Sequence, residues 1–163
     1  MNRFIKHTIE VTKFLPLIAV TSLTWPVAAT AAGVRALQGT WEVEVTIRDC
    51  TSGSPIRTVP RVITFAGGGT LSEYTAAGTE SMPVARAPGH GAWEYLGKSS
   101  FTYSVKFMRL TAWGGPDGNI SEIRLLEVSE SGDSFEAEGT SLITLGNGIQ
   151  FPACATEVGT RLY

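Results

Sequence analysis

The chain has 163 residues, with 13 Lys and Arg against 15 Asp and Glu, 18 Gly, 8 Pro and 2 Cys. This length supports one sizeable core and not two. A mildly acidic balance without a basic cluster argues against a nucleic-acid partner, because phosphate binding needs a concentrated Lys/Arg face.

The first 32 residues have the organisation of an export signal. Arg3, Lys6 and Lys13 precede the apolar run Phe14 to Val20, and Val27 to Ala32 supply small residues. A basic start, a short apolar core and a small-x-small ending mark a cleavable secretory segment. The expected cut follows Ala31 or Ala32. The apolar stretch is interrupted by Pro16, Thr21, Thr24 and Pro26, too short for the ~20 residues of a spanning helix. Residues 33–163 are thus expected to form a single exported domain, periplasmic or secreted from a bacterium. They carry 10 basic and 14 acidic side chains, a net charge of −4.

Beyond residue 33 no helical period is visible, and apolar and polar residues alternate between turn signals. Trp41, Val43, Val45 and Ile47 alternate with Glu42, Glu44, Thr46 and Arg48 in a first strand, and Thr51 to Pro55 turn the chain. A second strand spans Arg61 to Phe65 and ends at Gly67-Gly68-Gly69. A third covers Thr70 to Thr75, and Ala76 to Pro88 form the longest connection, placed to act as a lid or rim. Gly91 to Tyr95 give a fourth strand and Phe101 to Phe107 a fifth, separated by Lys98-Ser99. Gly114 to Asn119 are dense in turn residues. A sixth strand follows from Ile120 to Val128, with Ile123 and Leu125 on one face. The seventh runs from Phe135 to Leu145 and the eighth from Ala155 to Leu162, with Gly146-Asn147-Gly148 between them.

Eight strands in hairpin succession imply an all-β fold, and closure into an up-and-down barrel removes the exposed edges. Cys50 and Cys154 fit closure, since an oxidising compartment would join them and set the first and last strands side by side. Counting from that pair puts Val43 opposite Arg161, Trp41 one diagonal step away, and Glu157 opposite Ile47. The even parity of the two cysteines places the bridge on the outer face or just past the ladder ends.

Gly39-Thr40-Trp41 at the entry to the first strand, with Arg161 near the end of the last, resembles the signature of lipocalins and their calycin relatives. The resemblance implies that the indole plugs one end of an eight-stranded barrel and the guanidinium stacks on it. It also implies an interior that takes a small apolar molecule.

Trp93, Tyr95, Phe101, Tyr103 and Phe107 share one parity on consecutive strands and are the candidate ligand-contacting face, with His90 beside Glu94 at the mouth. An aromatic stripe of this kind is equally what a packed core requires. Glu73, Glu94, Glu136, Glu138 and Glu157 lie in or next to strands. A carboxylate turned inward would be costly and therefore informative, and Glu157 has the parity of an interior ion-pair partner. No nucleophile-elbow sequence marks a serine. One histidine after residue 33 is too few for a zinc site, and no cofactor motif is present. The reading is an exported small barrel that carries an apolar ligand, with no catalytic residue assigned. The rivals are a filled barrel with a structural or partner-binding role, an outer-membrane barrel, and an isomerase or cyclase built on Glu94, His90 and Glu157. Oligomeric state is left open.

Overall fold

The computed structural model describes residues 33–75 and 85–162. The export-signal segment, residues 76–84 of the long connection and Tyr163 lie outside the described residues. One helical turn at 33–37, which the absence of a helical period does not predict, leads into eight strands. These are β1 (Gly39–Arg48), β2 (Pro55–Ala66), β3 (Thr70–Tyr74), β4 (Gly89–Gly97), β5 (Ser100–Leu110), β6 (Pro116–Val128), β7 (Ser134–Leu145) and β8 (Gln150–Leu162).

Each strand pairs antiparallel with the next, and β1 pairs with β8, so the sheet closes into an eight-stranded barrel. Alternation drives the closure. Trp41, Val43 and Val45 are buried while Glu42 and Glu44 are exposed, and β5 repeats the pattern with Phe101, Tyr103, Val105 and Phe107 inside. The β2–β3 hairpin turns on Gly68 and Gly69, both at φ +84°, a conformation that L side chains resist.

Several strands run longer than the sequence suggests. β2 begins at Pro55 rather than Arg61 and contains Pro60 opposite Glu44, while β8 begins at Gln150 and contains Pro152. The short β3 reaches only from Ala66 to Val62 along β2, and β1 reaches only Cys154 along β8. The proline-bearing stretches therefore have a described ladder partner on one side, where a missing N–H is tolerated.

The β1–β8 register differs from the sequence-based expectation by two residues. Trp41 faces Arg161 directly, Val43 faces Gly159 and Val45 faces Glu157. The Cys50–Cys154 disulfide is formed with Cα atoms 5.2 Å apart. Cys50 lies two residues beyond the end of β1 while Cys154 pairs with Arg48. The bridge thus spans a turn and a strand rather than two ladder partners, which accounts for the shift. In β6, Ile123 and Leu125 do share a face, and that face is the outer one: both are exposed, while Glu122, Arg124, Leu126 and Val128 are buried.

The interior falls into three layers. At the end where β1 begins, Trp41, Phe65, Trp93, Phe101 and Phe135 pack edge to face or tilted, with Trp41 and Phe135 centroids 5.0 Å apart. Leu37 of the helical turn caps this plug, its carbonyl accepting a 2.9 Å hydrogen bond from the Trp41 indole. A layer of buried ions lies above the plug, and a cavity lies above that, at the disulfide end.

Candidate functional site

The middle layer holds five polar side chains from four strands, β2, β5, β6 and β8. Arg61 donates to Glu122 at 2.8 Å, to the Tyr103 hydroxyl at 2.7 Å and to Glu157. Arg124 donates from Nε to Glu157 at 2.7 Å and from Nη1 to the Thr140 carbonyl at 2.8 Å. The Tyr103 hydroxyl donates to the second oxygen of Glu157. Glu157 thus accepts from three partners, which lets a carboxylate remain buried inside a barrel.

Burial alone would disfavour the Arg61 cation, but its acidic neighbours, Glu157 foremost, override it and raise its pKa well above the ordinary range. Burial pushes the Tyr103 phenol well up. Burial also works against an ionised Glu122, yet Arg61 and Arg124 prevail and lower its pKa.

A second cluster adjoins the first. Arg86 donates both terminal nitrogens to Glu73 and one of them to the Thr75 hydroxyl. Its guanidinium carbon sits 3.8 Å from the centroid of the Phe107 ring. Arg86 is held by an isolated bridge to Arg109 of β5, beside the long connection.

Arg61, Glu122 and Arg124 of the first cluster and Thr75 and Arg86 of the second line the floor of a half-open cavity of about 110 Å³. Its walls are mainly apolar, including Val45, Ile47, Val59, Phe107, Ile120 and Ile143, with Arg57 on the exposed rim and Cys154 in the wall. Among the described residues, the enclosed Nε–H groups of Arg61 and Arg86 have no acceptor.

No family model matches the chain, and no curated protein matches it. Among solved structures, the crystal structure of Rv2717c from M. tuberculosis is similar with a TM-score of 0.44 and 12% identity, over 83% of this chain and 98% of that one.

The sequence-derived candidates are distributed over all three layers and the surface. Phe107 lines the cavity. Trp93 and Phe101 belong to the aromatic plug, where the Trp93 indole donates to the Ala66 and Thr70 carbonyls, each at 3.0 Å. Tyr103 joins plug to ion layer, 5.6 Å from Phe65. Tyr95 is half-buried and donates its hydroxyl to the Lys98 carbonyl. His90 and Glu94 point outward from β4 and are exposed, as are Glu136 and Glu138. Glu157 points inward, so His90, Glu94 and Glu157 do not converge.

Gly39 and Trp41 lie at the plug, and Arg161 stacks over the Trp41 ring at 4.2 Å. Sequence reasoning left out Arg61, Arg86, Glu122 and Arg124. The inward parity of Arg61 with Ile63 and Phe65 is the one signal that points to any of them.

Proposed function

We propose that this chain is an exported, lipocalin-like barrel that binds a small, mainly apolar guest in the cavity at the disulfide end. The observation that carries this reading is the cavity itself, apolar-walled and open at one end of an otherwise filled barrel. Ordinary ligand pockets reach roughly 300–1,000 Å³, so a cavity of about 110 Å³ suits a compact guest. Export is supported by the signal-like segment and by the disulfide, which is compatible with an oxidising compartment. The outer face bears Glu42, Glu44, His90, Glu94, Glu136 and Glu138, which favours water over lipid around the barrel.

The guest contact moves with the cavity: Phe107 remains a ligand-contacting residue, while Trp93 and Phe101 serve the plug. The test is native mass spectrometry of the purified chain, followed by organic extraction and titration with a fluorescent apolar probe. A stoichiometric adduct or saturable probe uptake is expected, and Phe107→Trp, which fills the cavity, abolishes it. A bare mass with no uptake overturns the reading in favour of a filled structural barrel, which the aromatic plug and ion layer also support.

A further inference from the structure

We propose that the rim of the cavity mouth is a membrane-docking surface, on which the barrel stands end-on against a phospholipid interface. Closure of the sheet gathers the β1–β2, β5–β6 and β7–β8 turns at one end. It is the end where Ile47, Arg57, Phe107, Ile120 and Ile143 line the cavity. Each of these turns leaves a large apolar side chain in water at or beside its tip. Trp113 of the β5–β6 turn is 96% exposed, and Ile56, Ile149 and Phe151 are between 41% and 64% exposed.

A tryptophan exposed to this degree covers nothing of its own barrel: it neither closes the mouth nor joins the plug. Exposed apolar side chains gathered at one place mark an interaction surface. Here they stand on separate turns around an opening. A folded partner would need a surface contoured to every tip, whereas the boundary of a bilayer yields to each tip independently. Tryptophan favours that boundary, where its ring meets lipid and its N–H meets water.

The charges of the rim suit lipid phosphate. Its carboxylates are already engaged: Asp49 accepts from the backbone of Thr51 and Ser52, and Asp117 from Arg109. Arg57, exposed beside Ile56, makes no ion pair among the described residues, and a guanidinium matches a phosphate through paired N–H donors. The opposite end presents Glu127, Glu130, Asp133 and Glu136 in and around the β6–β7 turn, which an anionic surface repels. Docked mouth-first, the cavity opens against lipid, and an apolar guest passes between bilayer and barrel without crossing water. That passage rests on the binding reading above; the docking does not.

Sedimentation of the exported, purified chain with vesicles of phosphatidylcholine and phosphatidylglycerol in equal parts tests this. The chain is expected to sediment with the vesicles. The emission of Trp113, taken as the difference from Trp113→Phe, should shift to the blue and be quenched by lipid brominated in its acyl chains. Trp113→Ser with Ile149→Ser should lower vesicle partition roughly tenfold or more. Ile123→Ser with Leu125→Ser, on the exposed outer wall, should leave it unchanged, and both pairs should keep the melting temperature of the unmodified chain. Absence of sedimentation overturns the proposal, as does partition that survives the rim pair or is lost in the wall pair. Velocity sedimentation without vesicles supplies the remaining arm: a dimer that the rim pair dissolves makes the mouth a contact between copies of this chain and overturns lipid docking.

Discussion

Arg161 and Trp41 are direct partners across the seam that closes the barrel, and the guanidinium lies 4.2 Å from the centroid of the indole. The same guanidinium donates to the Gln38 carbonyl at 2.7 Å and the Gly132 carbonyl at 2.8 Å. One side chain thus ties the segment before β1 to the β6–β7 turn. A cation over an indole contributes about 0.5–2 kcal/mol, and hydrogen bonds from a charged donor about 1.5–3 kcal/mol each. Arg161→Ala is expected to lower unfolding free energy by roughly 2–4 kcal/mol, since these contributions are not additive. Arg161→Lys should recover less than half of the loss, because a lysine cannot stack while reaching both carbonyls. Urea denaturation followed by Trp fluorescence measures both.

Glu157 is the anion that two arginines and a tyrosine share. Glu157→Gln leaves Arg61 and Arg124 buried against a neutral amide, and breaking a buried pair costs about 3–5 kcal/mol. The midpoint of urea unfolding should fall accordingly. An unchanged midpoint would show that the ion layer contributes nothing to stability.

Glu122 makes the fold acid-sensitive. Its folded-state pKa lies below the ordinary value of 4.5 because of Arg61 and Arg124. Its contribution is complete above that value and is lost as pH falls through the lowered pKa. The thermal midpoint should therefore decline below about pH 4.5. Glu122→Gln, which has no proton to bind there, should decline less steeply over the same interval.

Gly91 has no room for a side chain. A Cβ at this position would lie 1.8 Å from the Ser104 carbonyl oxygen, a backbone atom of the neighbouring strand. Gly91→Ala is expected to destabilise the protein by about 1–3 kcal/mol or more by forcing β4 from β5. Gly115→Ala is the control, since its Cβ would meet only the Thr111 hydroxyl at 3.5 Å, and its melting temperature should stay close to that of the unmodified protein.

What could be read in advance followed the strength of the alternation. β1 from Trp41 to Arg48 and β5 from Phe101 to Phe107 alternate apolar and polar residues, so their inner faces were legible residue by residue. In β6 both faces carry aliphatic side chains, Ile123 and Leu125 on one and Leu126 and Val128 on the other. Hydrophobicity alone does not orient such a strand. The ion layer was illegible for a related reason. Arg61, Glu122, Arg124 and Glu157 come from strands far apart in the chain, and a charged residue in a strand normally signals the wet face. Their burial is a property of the closed barrel, created by partners that no local pattern links. Parity identified the inward direction of Glu157 and not the partners that make it affordable. The disulfide was predictable from two cysteines behind a segment patterned like an export signal, whereas its offset from the ladder depended on the turn containing Cys50.

Closure of the wall depends on β8 lying against β1, the two ends of the domain. Nothing upstream can substitute for that last pairing, and the ion layer lacks Glu157 until it forms. While β8 is undocked, the wall beside Trp41 is open and the inward faces it would cover are bare. Such long-range pairing is intrinsically slow to form. The Cys50–Cys154 disulfide joins the same two strands at the end of their ladder, so formation of that bond and closure of the wall favour one another.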